Sequence, residues 1–158
     1  LSIKKMINVN IHEIIRSAIH HVSLILENKK GHIETSLKAS EPEIFGNFDH
    51  LTNVLVNILD NALKYSKCIP EIQITSLDSF GFVELIIKDN GIGMDASTKK
   101  MIFDKFYRKE GGNVHDIKGH GLGLSYVKKM IEIHNGEIKL ISKIGDGTTF
   151  IIRLPKNK

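Results

Sequence analysis

The sequence predicts an α+β protein, a two-layer sandwich in which a mixed, mostly antiparallel sheet of about five strands packs on three main helices. Three segments with the apolar periodicity of helices are interspersed with segments in which apolar and polar residues alternate. Four of the alternating segments form two pairs, and a short turn sequence with glycine joins the members of each pair. The length of 158 residues suits one domain of this kind.

The first helix is predicted after Asn10, since Asn10 followed three residues later by Glu13 is typical of a helix N-cap. Gly31 is a suitable stop signal, and the next segment, HIETSLKA, alternates as a strand does. The apolar stripe of this helix consists of Ile11, Ile14, Ile15, Ala18, Ile19, Val22 and Leu26.

A second helix is predicted from Phe48 to Ser66, with Asp49 at its start, and a third from about Leu122 to His134. The segments EIQITSL and FVELIIKD, with DSFG between them, predict one β-hairpin. A second hairpin is predicted from EIKLIS and TTFIIRLP, with a GDG turn. The buried side of the second helix is predicted to carry Leu51, Val54, Leu55, Ile58, Leu59 and Ala62.

The composition excludes several classes of protein. Hydrophobic residues make up 41%, charged residues 25%, and prolines number three, which disfavours disorder, and no apolar run is long enough for a membrane span. The net charge of +4 comes from scattered lysines, so we expect no nucleic-acid partner. Cys68 is the single cysteine, which favours a reducing, cytoplasmic setting. Because the chain begins with Leu1, we expect a fragment of a longer protein.

The stretch KGHGLGLS places Gly119, Gly121 and Gly123 directly before the third helix. Glycines before a helix N-terminus suit a phosphate site, although a turn that lets a helix pack on a sheet would need the same residues. The chain has no Gly-Lys dipeptide, which excludes a P-loop. A dinucleotide fingerprint would require glycine where Leu124 stands, so that motif is excluded too.

The second helix carries asparagines opposite its apolar stripe. Asn53, Asn57, Asn61 and Lys64 share this face, although asparagine is a poor residue for a helix interior. Amide oxygens suit Mg²⁺, and Lys64 could contact the phosphates that the metal shares, whereas an ordinary solvated face is the alternative.

The segment KDNGIGMD follows the first hairpin's second strand. Asp89 could accept a hydrogen bond from the exocyclic amine of adenine, and Gly91 and Gly93 could let a flat ring approach the backbone. A turn that merely caps the strand is the alternative.

The pattern from Met94 to Lys118 is irregular and predicts a mobile loop, in which Phe103 and Phe106 could form a small apolar anchor.

Histidines offer weaker signals. His12 precedes a glutamate, as phospho-accepting histidines do, but the residues that follow do not fit such a site, and we expect His12 on the ordinary polar face of the first helix. The pair His20–His21 and the group His115, Asp116 and His120 match no metal-ligand spacing.

Taken in order, NVLVNILDNALKYS, DNGIGMD, FDKFYR, GHGLGLS and GDGTTF closely resemble the asparagine, glycine and phenylalanine motifs of the ATP-binding catalytic domain of bacterial sensor histidine kinases. The resemblance covers about Asn8 to Pro155. It implies a Bergerat-type fold, with residues 10–158 as the domain and residues 1–9 as the end of a linker from a dimerisation region.

The resemblance also implies site residues, with ATP and Mg²⁺ as cofactors. Asn57 and Asn61 would bind the metal, Lys64 and Arg108 would be catalytic, and a lid would run from about Arg108 to Lys118. The implied ATP-binding residues are Asn57, Asn61, Lys64, Tyr65, Asp89, Gly91, Ile92, Gly93, Met94, Tyr107, Arg108, Lys118, Gly119, His120, Gly121, Leu122, Gly123, Leu124 and Thr148.

The resemblance implies transfer of the ATP γ-phosphate to a histidine of the parent protein's dimerisation domain, for relay to a response regulator. The parent would be a homodimer, with a membrane anchor as one option. Relatives that hydrolyse ATP carry a glutamate where this chain has Asn57, which favours kinase over hydrolase. An ATP hydrolase and a non-catalytic module gated by nucleotide remain the alternatives.

Overall fold

The computed structural model describes residues 5–104 and 123–157, which contain seven strands and four helices. The strands are β1 (Ile7–Asn10), β2 (His32–Leu37), β3 (Glu43–Gly46), β4 (Glu71–Ser79), β5 (Phe82–Asp89), β6 (Glu137–Ser142) and β7 (Thr148–Pro155). The helices are α1 (Ile11–Asn28), α2 (Phe48–Lys64), α3 (Ala96–Met101) and α4 (Gly123–Ile133).

The main sheet has the strand order β2-β4-β5-β7-β6. β2 runs parallel to β4, and the other neighbouring strands are antiparallel, with both predicted hairpins in place. One face of this sheet packs on α1, α2 and α4 through a continuous apolar core. Each fully buried Ile or Leu in that core contributes about 1.5–3 kcal/mol of transfer free energy. The predicted fold class is confirmed.

Helix α1 begins as predicted but ends differently. The Asn10 side chain accepts a hydrogen bond from the His12 backbone N–H at 2.8 Å, which makes Asn10 the N-cap. At the other end, the Gly31 N–H donates to the Leu26 carbonyl at 2.8 Å. The residue with left-handed backbone is Lys30, with φ 55°, and not Gly31. The chain therefore tolerates a residue with a Cβ at the position where glycine is usual.

Helix α2 is capped two residues before the predicted position. The Asn47 side chain accepts from the His50 backbone N–H at 2.9 Å, whereas Asp49 lies inside the first turn. The prediction that Asp49 starts this helix is thus wrong, because Asn47 has the extended backbone of an N-cap. Helices α1 and α4 both contact α2, and ten of its 17 residues are buried.

A short helix interrupts the segment that was predicted to be irregular from Met94 to Lys118. The Asp95 side chain accepts from the Thr98 backbone N–H at 2.7 Å and caps α3. The prediction is wrong for this first part, because the Asp95 cap was not recognised. The part from residue 105 onward lies outside the described residues.

Strands β1 and β3 form a separate antiparallel ribbon that the sequence did not indicate. Both strands have four residues, too few for a clear alternation, yet Val9 and Ile44 face each other in the core.

Near the far end of the chain, the Asn157 amide donates to the Asn8 side chain at 2.8 Å, and its backbone N–H donates to the Glu43 carbonyl at 3.2 Å. The two ends of the described chain are therefore neighbours.

None of the helices within residues 5–104 and 123–157 combines the length and the apolar character that crossing a membrane requires.

A buried histidine joins the end of α4 to the start of α2. His134 is 5% exposed, its Nδ1 lies 2.7 Å from the Met130 carbonyl, and its Nε2 accepts the Asn47 N–H at 3.1 Å. Since the carbonyl can only accept, Nδ1 carries the proton and the ring is neutral. Burial lowers the pKa of His134, and the nearby His50 lowers it further. A proton on Nε2 would face the Asn47 N–H and break this contact.

Acidification is therefore expected to destabilise the fold through His134. Because the folded pKa lies below the ordinary value of 6.5, the stabilisation is complete above pH 6.5 and is lost as the pH falls through the folded pKa. Urea unfolding at pH 7.5 and 5.5 should show a smaller drop in the His134→Leu variant than in the wild type. His12 also has a lowered pKa, so the comparison between the two proteins is needed. Equal drops would contradict this assignment.

Candidate functional site

The carboxylate of Asp89 lies at the end of β5 and organises a corner of the backbone. Its Oδ1 accepts from the Gly91 N–H at 2.8 Å and from the Thr148 N–H at 3.1 Å. Among the described residues these are its hydrogen-bond donors, which leaves Oδ2 available to a ligand. Burial raises the pKa of Asp89, and the two backbone hydrogen bonds offset only part of that rise. The Asp89 carboxylate is thus a half-buried acceptor that two backbone N–H groups hold in one orientation. Such an acceptor fits the predicted recognition of an adenine amine.

Three segments meet at this Asp89 corner, which comprises residues 65–66, 89–94 and 142–148. The Ile92 N–H donates to the Tyr65 carbonyl at 2.9 Å, and the Gly145 N–H donates to the Ile92 carbonyl at 2.8 Å. The Ser142 hydroxyl links two of the segments, since it accepts from the Met94 N–H at 2.9 Å and lies 2.8 Å from the Thr148 hydroxyl. Backbone from the end of α2, from the β5 end and from the β6–β7 turn is thereby held as one unit.

The glycines of the corner are required by contacts within the protein. A Cβ on Gly91 would lie 2.7 Å from the Tyr65 carbonyl oxygen, and a Cβ on Gly93 would lie 2.0 Å from the Lys143 carbonyl oxygen. Gly93 also has a φ of +73°, which a residue with a side chain rarely adopts. Contacts within the protein therefore suffice to require glycine at these positions, whether or not a flat ring also approaches them. Their place in the nucleotide site stays a prediction.

The asparagines of α2 differ in their surroundings. Asn57 is only 8% exposed, so the predicted face opposite the apolar stripe is not a solvated face at this position. Its Nδ2 donates to the Asn53 carbonyl at 2.8 Å. The amide is thereby oriented with Oδ1 as its remaining polar atom, which fits a neutral oxygen ligand for Mg²⁺. Asn61 follows one turn later and is half-buried, and Lys64 is exposed at the helix end.

The start of α4 lies beside these asparagines. His134 contacts Asn47, and the Tyr126 hydroxyl lies 2.9 Å from Nδ1 of His50, so α4 runs antiparallel to α2. With a rise of about 1.5 Å per residue, Gly123 lies roughly level with Asn57. The positive end of the α4 dipole therefore points toward the same end of the sheet as the Asp89 corner.

Part of the predicted site lies outside the described residues, and these assignments stay predictions. They are Tyr107, Arg108, Lys118, Gly119, His120, Gly121 and Leu122, together with the predicted lid from about Arg108 to Lys118. Among the described residues, Leu124 is buried in the core and Thr148 binds Asp89 through its backbone.

Sequence reasoning missed Ser142 and Tyr126, which join the segments of the site. No signal in the sequence distinguishes the buried Ser142 from other serines at strand ends.

The prediction that His12 lies on an ordinary polar face of the first helix was wrong. His12 is half-buried and its Nε2 lies 2.7 Å from the Ser76 hydroxyl on β4, so it does not lie on an ordinary polar face. The engaged ring agrees with its exclusion as a phospho-acceptor.

Replacing Asp89 with asparagine should weaken nucleotide binding without lowering the stability of the fold at neutral pH. The amide oxygen can keep both backbone hydrogen bonds, but it carries no charge that burial penalises. Since the folded pKa of Asp89 is raised, its ionisation destabilises the fold as the pH rises through that value. The Asp89→Asn variant should therefore unfold at no lower urea concentration than the wild type at pH 7, with its relative stability falling in acid.

The same variant should bind ATP about 10- to 100-fold more weakly, because a charged hydrogen bond is lost. Titration calorimetry with ATP and with GTP provides the measurement. Unchanged ATP affinity in the folded variant would remove Asp89 from the site.

A five-stranded sheet packs on one layer of helices, and an acidic strand end, the oriented Asn57 amide and the start of α4 lie toward one edge of it. This combination is that of a nucleotide-binding α+β domain. The sequence model of the histidine kinase-, DNA gyrase B-, and HSP90-like ATPase family matches residues 46–158. The chain belongs to this family.

Relatives and solved structures agree with this assignment. Sensor protein RprX of Bacteroides fragilis is 43% identical over 155 residues, which cover 96% of this chain and 30% of the relative. A mycobacterial sensor histidine kinase, MprB, superposes with a TM-score of 0.78 at 25% identity, covering 97% of this chain and 99% of that one. Histidine kinase ThkA, solved in complex with the response regulator TrrA, gives a TM-score of 0.78 at 23% identity, covering 96% of this chain and 42% of that one.

The predicted resemblance to the catalytic domains of sensor histidine kinases is thus confirmed, and with it a nucleotide-binding role. The chain spans about a third of the length of RprX, so it corresponds to one part of such a relative.

Proposed function

We propose that this chain is the ATP-binding catalytic domain of a two-component sensor histidine kinase. It would donate the γ-phosphoryl group of Mg-ATP to a histidine in the dimerisation region of its parent protein. The observation that carries this proposal is the meeting of the Asp89 corner, the α2 asparagines and the start of α4 at one edge of the sheet.

The predicted site residues would each contact a different part of the nucleotide. Asp89 would accept the adenine amine, and the amide oxygens of Asn57 and Asn61 would bind Mg²⁺. Lys64 would neutralise phosphate charge, and Arg108 would stabilise the charge that develops during transfer. Mg²⁺ held by these amide oxygens would neutralise part of the phosphate charge during transfer. The oriented Asn57 amide supports this arrangement, because its nitrogen is already bonded to Asn53.

The side chain at position 57 favours transfer to histidine over hydrolysis. Members of the family that hydrolyse ATP carry a glutamate there, which takes a proton from water. A neutral amide cannot act as a base at this place. A neutral imidazole needs no such base, since its nitrogen already has a lone pair with which to attack phosphorus. The attack would form the bond from nitrogen to phosphorus, break the bond to ADP, and leave an imidazolium whose proton would pass to solvent.

The partners follow from the same role. Within the parent, the acceptor would be a dimerisation domain, and the parent would be a homodimer. A response regulator would take the phosphoryl group next, which the complex of ThkA with TrrA supports. The domain would work in the cytoplasm, where ATP is available, whether or not a membrane anchors the rest of the parent.

Labelled ATP distinguishes the alternatives. Incubated alone, the chain should bind ATP, acquire no acid-labile phosphate and release little inorganic phosphate. Mixed with the parent's dimerisation region, it should label one histidine there, because positioning and electrostatics supply most of the catalysis of phosphoryl transfer. A dimerisation region with that histidine replaced is the control.

Rapid release of phosphate by the chain alone would favour an ATP hydrolase. Tight binding with an unlabelled but well-folded acceptor region would favour a non-catalytic module gated by nucleotide. Either result would contradict the proposal.

A further inference from the structure

Three polar residues stand side by side at one end of the main sheet. Ser142 on β6 pairs with Thr148 on β7, and the Thr148 N–H donates to Oδ1 of Asp89 at the end of β5. Ser142 and Thr148 are each only 6% exposed, and two positions further along the same strands Leu140 pairs with Phe150 of the core. Ser142, Thr148 and Asp89, the polar row, thus end the apolar core at the proposed base site.

The hydrogen bonds of Ser142 fix the direction of its hydroxyl proton. Its Oγ donates to the Gly147 carbonyl at 3.0 Å, since a carbonyl can only accept, and it accepts from the Met94 N–H at 2.9 Å. A hydroxyl has one proton and two lone pairs, so the place that remains on Ser142 is a lone pair. The Thr148 hydroxyl, whose oxygen lies 2.8 Å from that of Ser142, must therefore donate to it.

This arrangement leaves Thr148 as an acceptor. Its one hydroxyl proton is directed to Ser142, so its oxygen has lone pairs and no proton for a ligand. The neighbouring Asp89 carboxylate, when ionised, also can only accept. The polar row therefore suits a base with an amino group, such as adenine, and disfavours a base with a carbonyl oxygen at the same position, such as guanine.

We propose that Ser142 is a positioning residue that sets the preference for an amino purine. It acts without contacting the nucleotide, by holding the Thr148 hydroxyl as an acceptor. Without the Ser142 hydroxyl, Thr148 can turn its proton toward a carbonyl of the base, and the discrimination against such bases weakens. This inference rests on the proposed function and deepens it, since Ser142 was not among the predicted site residues.

Titration calorimetry with Mg-ATP and with Mg-bound inosine triphosphate tests the proposal. Inosine triphosphate has a carbonyl oxygen where ATP has the amine, and it has the same ribose and phosphates. The Ser142→Ala variant should reduce the ratio of ATP affinity to inosine triphosphate affinity by about 3- to 10-fold, the range expected for one hydrogen bond.

The matched control is Ser76→Ala, at a buried serine of β4 away from the polar row. The Ser76 hydroxyl likewise accepts a backbone N–H, from Ala39 at 3.2 Å, and its oxygen lies 2.7 Å from Nε2 of His12. Both variants should lower the free energy of unfolding, because each removes a buried hydroxyl and leaves its partners unpaired. Only Ser142→Ala should change the ratio of the two affinities.

A double-mutant cycle identifies the route. Thr148→Val removes the hydroxyl and keeps the backbone N–H that binds Asp89. It should lower the ratio by itself, and adding Ser142→Ala should then cause no further change in the ratio, because the hydroxyl through which Ser142 acts is gone. Thr148→Val also tests the proposal where Ser142→Ala impairs folding.

The outcomes separate the inference from the proposed function. An unchanged ratio in folded Ser142→Ala or Thr148→Val, the same change in Ser76→Ala, or additive changes in the double variant would overturn the inference and leave the proposed function standing. A wild-type chain that binds no Mg-ATP would instead refute the proposed function, and this inference with it.

Discussion

Replacing Asn61 with alanine is expected to abolish phosphoryl transfer to the acceptor histidine. Asn61 is half-buried, one turn after the oriented Asn57, and its amide oxygen is a proposed ligand of Mg²⁺. Loss of a residue that merely supports a ligand costs about 10- to 100-fold in metal affinity or activity, so loss of the ligand should cost at least about 100-fold. Labelling of the dimerisation region with ATP, at a Mg²⁺ concentration just sufficient for the wild type, measures the effect.

The matched control is Asn28→Ala, the same change at the exposed end of α1. Both variants should unfold within about 0.5 kcal/mol of the wild type, because neither asparagine side chain is fully buried and alanine is a good helix former. Only Asn61→Ala should lose transfer. Raising the Mg²⁺ concentration should restore part of the activity if the metal is what was lost. Normal labelling by the folded Asn61→Ala variant would exclude Asn61 as a ligand.

Replacing Gly147 with alanine is expected to destabilise the fold and the nucleotide site together. A Cβ at this position would lie 2.1 Å from the Asp89 carbonyl oxygen, and Gly147 has a φ of +75°. Left-handed backbone costs an alanine about 1–2 kcal/mol, and the forced separation of two backbone segments adds about 1–3 kcal/mol. The expected loss of about 2–5 kcal/mol would show in urea unfolding, and ATP affinity should fall because Asp89 moves.

Gly145 provides the control within the same turn. Its φ is +91°, but a Cβ there would meet no atom within 4 Å. Gly145→Ala should therefore show the backbone cost of about 1–2 kcal/mol and keep its ATP affinity. The difference between the two variants measures the contact with Asp89. Equal losses of stability, with equal ATP affinity, would mean that the turn does not support the corner.

The sequence predicted the helices and strands whose apolar pattern continues over many residues. Helices α1, α2 and α4 have apolar stripes of three or more turns, and the two hairpins combine alternating apolar residues with turn residues. Both patterns can be recognised from the sequence alone, because they depend on neighbouring residues and not on tertiary contacts. Strands β1 and β3 have four residues each and pair with partners distant in sequence. Their stability comes from the contact of Val9 with Ile44 in the core, which no local pattern reveals.

The candidate site was predictable in its motifs and not in its contacts. Asn57 and Asp89 were recognised by residue type and spacing, but the burial of Asn57 depends on α4, which lies beside it only in the folded chain. The need for glycine at Gly93 comes from the Lys143 carbonyl, which is 50 positions away in sequence. Tyr126 belongs to none of the motifs, and its contact with His50 joins two helices that are distant in sequence.

The closeness of Asn8 to Asn157 makes the chain nearly a closed loop. A short glycine linker could join these ends, and the chain could then be opened at the β4–β5 turn, where Phe80 is 99% exposed and a Cβ added to Gly81 would meet no atom within 4 Å. Such a circular permutant would keep every strand pair of the main sheet and leave the edge that carries Asp89 undisturbed. The proposed nucleotide site would therefore depend on how the strands are arranged in space and not on their order along the chain.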